Sequence, residues 1–467
     1  MALKEENFVV LHSGSWSTKA GINVIDTNKP PSVTIRSLVG ARTVSHEPMD
    51  ETPADTTEST EKDKADSSQR EGSDGTEIKV ENSEDENTTM AAAATEDSQD
   101  KQGDQTKEQD SDKPQTVYYC GSALTEAMQQ YPESELSVST PIQDGIVKDW
   151  AAMEALWQVT SHSRTTITER HVLFRELGIK RSRNASPVLM VVPSEWTKEE
   201  HERITQIFFE NFNVPGLYLA EESLMILYGC GAITGLVIDI GHNSTEITPI
   251  IDTQIQRNAT QSIPIAGADF DAYFLEQLKN DTQLVREYGQ PLDLEFARFL
   301  KESDVCRILT PEEKESKARV EVEYNGKKLT VGAARYKAIE PLFNPDFVGK
   351  RVFTLIDAVH AALFSCKAEK RPSLWEAIII TGGLQGRIQY EIEKSLVISE
   401  NFGEFQTRDV KFLKVPDYFP TLKDSIVHAG FLGAEIVAKL IFPDPRNYIN
   451  KVDYNEGGPS VVHTKTF

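Results

Sequence analysis

In the stretch LHSGSWSTKAG, residues 11–21, a β-like run gives way to a turn rich in Gly, Ser and Thr that closes on Lys19. A turn of this build after a strand is typical of phosphate binding. Its small residues let backbone N–H groups approach the phosphate oxygens, and the lysine neutralises their charge. Two residues do not fit: His12 stands where an acid should hold a metal, and Trp16 stands where glycine is expected. The stretch therefore predicts either a working phosphate clamp or one that has lost its chemistry.

Two later stretches are built in the same way. GLVIDIGHNSTEITPIIDTQ (residues 235–254) reads as a strand, a glycine turn and a second strand, and AIIITGGLQGR (residues 377–387) places a glycine turn between a buried strand and a helix. The repetition predicts two related lobes whose turns converge on one cleft and enclose a polyphosphate. Tight turns also need glycine without any ligand, and this alternative stays open for Gly14, Gly241 and Gly382.

The chain around these turns has an α/β pattern. SPVLMVVPSEW (residues 186–196) reads as a buried strand that ends at Pro193, and residues 153–159 and 222–228 have helical character. Apolar residues in the segment 197–214 recur at i, i+3, i+4 and i+8, which predicts an amphipathic helix facing the core. These residues are Ile204, Ile207, Phe208 and Phe212.

Length and charge limit the classes of protein that fit. At 467 residues the chain exceeds one ordinary core, which predicts two lobes or more. Of the net charge of −24, residues 47–113 supply 22 Asp/Glu against 7 Lys/Arg, so no basic face is available to grip DNA directly. Residues 46–116 contain no Phe, Tyr or Trp, and we expect a disordered acidic insert between strands at 32–39 and 116–120.

The cysteines, the N-terminus and one basic string bear on the compartment. Cys120, Cys230, Cys306 and Cys366 are scattered, without the spacing of a zinc site or a disulfide framework, and are expected to be thiols in a reducing compartment. A secretion signal and a run of about 18 apolar residues are both missing, so we expect a soluble intracellular protein without membrane contact. The string KRSR (residues 180–183) predicts either nuclear import or a solvated loop.

Four long segments resemble actin and occur in the actin order. They are PIQDGIVKDWAAMEALW (141–157), TQIFFENFNVPGLYLAEESLMILY (205–228), PLFNPDFVGK (341–350) and YNEGGPSVVHTKTF (454–467). Elsewhere the chain departs from actin. At these departures, and in VPDYFP (415–420) and HAGFLGAEIVAKLIF (428–442), it resembles the actin-related proteins that are nuclear subunits of fungal SWI/SNF- and RSC-type chromatin remodellers. The resemblance implies the two-lobed fold that actin shares with sugar kinases and heat-shock ATPases.

The resemblance also implies boundaries for the lobes. The small-lobe core would comprise residues 1–34, 121–229 and 425–467, and its tip residues 35–120, including the acidic insert 46–116. The large-lobe core would comprise residues 230–265 and 355–424, and its tip residues 266–354.

By resemblance, ten residues match actin positions that contact a nucleotide. Those at the phosphates are Gly14, Ser15, Lys19, Asp239, Gly241, Gly382 and Gly383, and those at the adenine and ribose are Arg298, Lys301 and Glu302. For the last three, a solvated helix face with ordinary i,i+3 and i,i+4 charge pairs is the alternative.

Other positions of the same site depart from actin. His12 and His242 replace two acids that organise Mg²⁺, Trp16 and Asn243 replace glycines, and Glu222 replaces the water-positioning glutamine. Magnesium is held tightly only where carboxylates anchor its water shell. We therefore expect no catalytic residues, no metal and no required cofactor, with ATP bound weakly or not at all. His12 and His242 could form a zinc pair, or could be polar residues tolerated after the loss of ATP chemistry.

The resemblance further implies that the groove between the lobes binds a partner helix. The matching residues, Tyr228, Gly231 and Ile233 on one side and Leu432, Gly433 and Ala438 on the other, could instead be core. The implied partners are the helicase-SANT-associated helix of a remodeller's motor subunit and a second actin-related protein in a heterodimer. The nucleosome would be contacted only indirectly, and the protein would be nuclear.

Two other functions are compatible with the sequence. One is an actin-like ATPase switched by its nucleotide, and the other is a histone-binding module that uses the acidic insert. Deletion of residues 47–113 separates the second from the scaffold, because unchanged histone affinity would exclude it.

Overall fold

The computed structural model describes residues 8–22, 30–44, 115–143, 145–157, 184–310, 313, 318–381, 385–400, 410–420, 422–423 and 426–466. Its contacts divide the chain into a larger unit, Met1–Arg42 with Val117–Phe467, and a smaller unit, Thr43–Thr116. Of the smaller unit only residues 43–44 and 115–116 are described, as strand ends. The basic string at 180–183 and all but two residues of the predicted insert lie outside the described residues.

The chain alternates strands and helices, as the α/β pattern predicted. The strands among the described residues are β1 (Val9–Ser13), β2 (Ser17–Ile22), β3 (Val33–Arg36), β4 (Val39–Val44), β5 (Gln115–Cys120), β6 (Ser137–Ser139), β7 (Ile142–Gln143), β8 (Ile146–Val147), β9 (Val188–Val192), β10 (Gly216–Glu221), β11 (Gly235–Ile240), β12 (Thr245–Ile251), β13 (Gln254–Ile255), β14 (Gln261–Ile263), β15 (Val320–Tyr324), β16 (Lys327–Val331), β17 (Ile378–Ile380) and β18 (Ile449–Asn450). The α-helices among the same residues are α1 (Gly121–Gln130), α2 (Trp150–Trp157), α3 (Lys198–Gln206), α4 (Glu222–Gly229), α5 (Gly267–Lys279), α6 (Thr282–Tyr288), α7 (Leu294–Glu302), α8 (Glu340–Phe343), α9 (Leu355–Ser365), α10 (Arg371–Trp375), α11 (Gln385–Glu400), α12 (Ala429–Ile441), α13 (Lys451–Gly457) and α14 (Val462–Lys465).

The first sheet is built around the opening hairpin. Its six strands lie in the order β18, β10, β9, β1, β2, β3. β1 pairs antiparallel with β2 and parallel with β9, and β10 pairs parallel with β9. Val, Leu and Met fill β9 because a strand covered on both faces has no place for polar side chains, and all five of its residues are buried.

The second sheet repeats this arrangement. β11 pairs antiparallel with β12 and parallel with β17, so a hairpin again lies beside a parallel strand. β13 and β14 both pair with β12. The predicted similarity of the two hairpin modules is therefore present in the fold. Smaller pairings join β4 to β6, β7 to β8 and β15 to β16.

The helix predicted after β9 is confirmed. Thr197 caps α3 with its side chain on the backbone N–H of Glu200, whose carboxylate accepts in return from the N–H of Thr197. The helix continues as a π-helical turn, Ile207–Asn211. The four apolar residues singled out by their spacing are all buried: Ile204, Ile207, Phe208 and Phe212.

Helices α4 and α12 are in very close contact. A Cβ atom placed on Gly433 would lie 1.9 Å from the carbonyl oxygen of Met225, and one on Gly229 would lie 2.1 Å from the carbonyl oxygen of Ala429. Only glycine allows backbones to approach this far. Since α4 connects β10 of the first sheet to β11 of the second, α12 packs directly on the link between the two sheets.

The apolar core follows the two sheets. One cluster surrounds the second sheet and includes Phe274 and Phe296, and another surrounds the first sheet and includes Trp157 and Phe208. Further clusters lie around α4 and α12. No helix among the described residues is both long and apolar enough to cross a lipid bilayer.

Candidate functional site

A cavity of about 300 Å³ lies where the turn between β1 and β2 faces the turn between β11 and β12. Eight of the predicted nucleotide-site residues line it, namely Gly14, Ser15, Lys19, Asp239, Gly241, Arg298, Lys301 and Glu302. The other two, Gly382 and Gly383, lie outside the described residues. The structure thus brings the first two turns together, while a role of these residues in nucleotide binding stays a prediction.

Both turns are closed by their own backbone. The N–H of Gly14 donates to the carbonyl oxygen of Ser17 at 3.0 Å, and the N–H of Gly241 donates to that of Ser244 at 3.0 Å. A Cβ on Gly241 would lie 3.0 Å from the Ser244 oxygen, which is closer than such atoms normally come. Tight turning by itself therefore accounts for the glycine at 241.

His12 and Glu222 form an ion pair inside the cavity. Nε2 of His12 lies 2.7 Å from Oε1 of Glu222, and His12 is buried. Burial alone would raise the pKa of Glu222, but the charge and hydrogen bond of His12, with the charge of Lys19, lower it below its usual value. His12 stands in place of an expected metal-organising acid, and Glu222 stands in place of an expected glutamine. The two replacements are thus partners of each other.

Lys19 and Asp239 are also held by protein groups. The Lys19 ammonium donates to the carbonyl oxygen of Val427 at 2.9 Å, and burial lowers its pKa. Asp239 accepts a hydrogen bond from the Thr381 hydroxyl, which also accepts from the N–H of Ile240 at 3.1 Å. Burial, followed by the charge of Glu222, raises the pKa of Asp239 to about 6.

The same end of the cavity carries an excess of acid. Glu246 stands opposite Asp239 in the β11–β12 register, and like charges in this position repel. Burial and the charges of Glu195, Asp239, Glu222 and Glu221 raise the pKa of Glu246 to about 9. Glu246 is therefore protonated near neutral pH.

Trp16 lies at the other end of the cavity. Its ring centroid is 3.6 Å from the guanidinium carbon of Arg36, 4.1 Å from that of Arg298 and 4.5 Å from the ring centroid of His242. Burial lowers the pKa of His242 to about 4, so the imidazole is neutral. The indole thus shares its π surface with two cations and an uncharged ring.

Arg298 and Lys301 are joined to a buried acid. Nε of Arg298 lies 3.0 Å from Oδ2 of Asp271, and Nζ of Lys301 lies 2.6 Å from Oδ1 of the same carboxylate. Asp271 is only 1% exposed and comes from α5, whereas its two partners come from α7. The alternative of a simple solvated helix face is wrong for these two residues, because their partner lies on another helix.

Several of the groups expected at a magnesium triphosphate have partners within the protein. The Gly14 and Gly241 amides and the Lys19 ammonium donate to protein oxygens, and Nε2 of His12 is hydrogen-bonded to Glu222. Within the described ranges, no group of three or more His, Cys, Asp or Glu side chains has a geometry that could hold a metal ion. His12 and His242 also have separate partners, Glu222 and Trp16, which speaks against the alternative of a zinc pair.

Four residues of the cavity region did not emerge from the sequence. The sequence could have indicated Glu246, because pairing the two predicted strands around the glycine turn places it opposite Asp239. Thr381 directly follows a predicted strand. Arg36 meets Trp16 only because β3 pairs with β2 in a register that places Arg36 opposite Ser17. Asp271 carries no local signal, since its partners lie 27 and 30 positions further along the chain.

The predicted partner-binding residues fall into two groups. Leu432, Gly433 and Ala438 are buried in the contacts of α12, so the expectation that they line an exposed groove is wrong and they are core. Apolar and small residues at helical spacing suit an exposed groove as well as a core. Here the α4 backbone fills the space beside Gly433.

The remaining three stay at the surface. Tyr228 is half-buried, Gly231 is exposed and Ile233 is 60% exposed. A Cβ on Gly231 would touch Pro416 Cγ at 3.4 Å and the Tyr418 hydroxyl oxygen at 3.5 Å, and Tyr418 is 70% exposed. We call Tyr228, Gly231, Ile233, Pro416 and Tyr418 the Tyr418 patch.

Comparison with known proteins gives a match along nearly the whole chain. The sequence profile of the family described as Actin matches residues 3–467. The chain is 24% identical to "SWI/SNF and RSC complexes subunit arp9" of Schizosaccharomyces pombe, with 99% of each chain covered. It is 27% identical to Actin-related protein 7 of Arabidopsis thaliana, covering 70% of this chain and 85% of that protein. It is 28% identical to Actin-related protein 7 of Oryza sativa subsp. japonica, covering 71% and 86%.

Proposed function

The chain belongs to the actin family, and from this premise we propose that it is a non-catalytic subunit of a SWI/SNF- or RSC-type chromatin-remodelling complex. The resemblance to actin-related proteins, and to fungal actin-related protein 9 in particular, is confirmed by the comparisons. The relative that aligns end to end carries the names of both complexes. A nuclear location follows from the proposal.

The observation that carries the non-catalytic part is the ion pair of His12 with Glu222. Hydrolysis of a triphosphate needs positive charge on the phosphates and a group that positions the attacking water. Here the His12 imidazole is committed to a carboxylate at 2.7 Å, and Asp239 adds negative charge on the same side. We infer that the protein needs no nucleotide, and that any ATP binding is weak.

Within the complex we propose that the protein binds the motor subunit's helicase-SANT-associated helix, side by side with a second actin-related protein. The Tyr418 patch supports this role, since its exposed side chains Ile233 and Tyr418 suit the apolar face of an amphipathic helix. Contact with the nucleosome would be indirect, because an excess of acid over base in the chain disfavours DNA phosphates.

Calorimetry on the full chain tests both parts. The motor's helical segment should bind, and ATP with magnesium should bind much more weakly and release no phosphate. A segment whose apolar face carries aspartates serves as the matched control. Firm binding of ATP with steady phosphate release, or equal heats for the two segments, would contradict the proposal.

A further inference from the structure

Trp16 contacts both halves of the fold. It comes from the turn between β1 and β2, and Arg36 ends β3 of the same sheet. His242 comes from the turn between β11 and β12 of the second sheet, and Arg298 comes from α7. Buried residues of α7, such as Phe296, belong to the core of the second sheet. One indole therefore touches groups anchored on either side of the cavity.

Each contributor is held by its own backbone or by a buried partner. The carbonyl oxygen of Trp16 accepts from the N–H of Ser37 at 2.9 Å, and the carbonyl oxygen of His242 accepts from the N–H of Ala268 at 2.8 Å. Arg298 is fixed by Asp271. The cluster is thus preorganised, and no additional group is needed to place the rings and guanidinium groups together.

The indole ring also stabilises the two positive charges beside it. The guanidinium groups of Arg36 and Arg298 both lie within about 4 Å of one ring centroid, and the charge of Arg298 adds to burial in lowering the pKa of Arg36. An aromatic face attracts both cations, whereas without it they repel each other. Because His242 is neutral, its ring packs against the cluster without adding a third positive charge.

We propose that Trp16, Arg36, Arg298 and His242 form a clasp that joins the two sheets across the cavity and keeps the cleft closed without a ligand. The clasp is a property of the chain alone and does not depend on its membership of a remodeller. A clasp of this kind gives a partner a fixed surface that needs no nucleotide to form.

Hydrogen–deuterium exchange of the full chain tests the clasp. Without ligand, the two turns and α7 should be protected, and millimolar ATP with magnesium should leave their exchange unchanged. Trp16→Ala should speed exchange in the β11–β12 turn and in α7 by about tenfold, since the lost contacts are each of cation–π strength. Phe353→Ala removes an aromatic that is 60% exposed and does not line this cavity, and it should change nothing in these segments.

Arg36→Met keeps the test decisive if Trp16→Ala does not fold. Arg36 is partly covered by the cluster but still exposed to solvent, so its loss leaves the core intact, and about threefold faster exchange is expected in the same segments of the second sheet. Unchanged exchange of β9 shows that a variant is folded. Protection that survives in the folded variants, or that appears in the unmodified protein only with ATP, would overturn the clasp.

Discussion

Nε2 of His12 and Oε1 of Glu222 lie 2.7 Å apart, so the last part of β1 is joined to the first residue of α4. α4 is the link between the two sheets, and α12 packs on it. The pair therefore stabilises the point at which the halves of the molecule meet. It also keeps a carboxylate charged beside Asp239 without a metal ion.

His12→Asp should destabilise the protein by about 3 kcal/mol, as expected when one member of a buried pair is removed. The introduced carboxylate would face Glu222 and Asp239 in place of the imidazole, and the Lys19 ammonium would be left to balance all three acids. Urea unfolding measures the loss. Glu222→Gln added to His12→Asp should recover part of it, and a double-mutant cycle without coupling between the two positions would contradict the ion pair's role.

Trp16→Gly should not create an ATPase. The substitution brings the first turn closer to a phosphate-binding turn, but the histidines at 12 and 242 still supply no carboxylate for magnesium. Phosphate release with ATP and magnesium should stay at the background of the unmodified protein. Turnover from this single change would show that the cavity's electrostatics have been misjudged.

The stability should depend on pH through Glu246. Its pKa of about 9 in the folded state, against an ordinary value of 4.5, means that folding takes up a proton. The unfolded chain ionises above its ordinary pKa while the folded chain does not, so stability falls as pH rises through this window and levels off above about 9.

Glu246→Gln replaces the protonated acid by a neutral amide and should remove this dependence. The variant should be more stable than the unmodified protein by about 5 kcal/mol near pH 8, with the gain vanishing below the ordinary pKa of a glutamate. Urea unfolding across the pH range measures the difference. Glu456→Gln, at an exposed position, is the control, and equal pH profiles for all three proteins would refute the assignment.

Gly433→Ala should loosen α12 from α4. The added methyl group would lie 1.9 Å from the Met225 carbonyl oxygen, a backbone atom that cannot swing aside, so a loss of about 3 kcal/mol is expected. Gly430→Ala on the same helix is the matched control. Its Cβ would meet side-chain atoms, the nearest being Ile226 Cγ1 at 3.3 Å, so its loss should stay below about 1 kcal/mol. Thermal unfolding compares the two, and equal shifts would contradict the close contact.

The sequence predicted what depends on local pattern. The turns at Gly14 and Gly241, the buried strand after Pro187 and the core face with Phe208 follow from glycine, β-branched runs and helical spacing. Contacts between distant segments were not predictable in this way. His12 and Glu222 are 210 positions apart, and neither residue alone indicates that it has a partner of opposite charge.

The error at α12 has a different cause. Leu432, Gly433 and Ala438 form the kind of surface that a partner helix could use, and a helix of the same chain uses it. Hydrophobic pattern shows that a face is covered, but it does not identify what covers it. Only the position of α4 in the fold shows that a helix of the same chain, and not a partner helix, covers this face.

Ile233→Asp and Tyr418→Asp should each weaken binding of the motor's helical segment at least about tenfold. Both side chains are mostly exposed in the Tyr418 patch, and a charge placed where an apolar helix face docks costs binding energy without disturbing the core. Unchanged melting temperatures should accompany the loss in calorimetry. Val452→Asp alters a residue of α13 that is 64% exposed and serves as the control. If all three variants bind as the unmodified protein does, the segment docks elsewhere on the molecule.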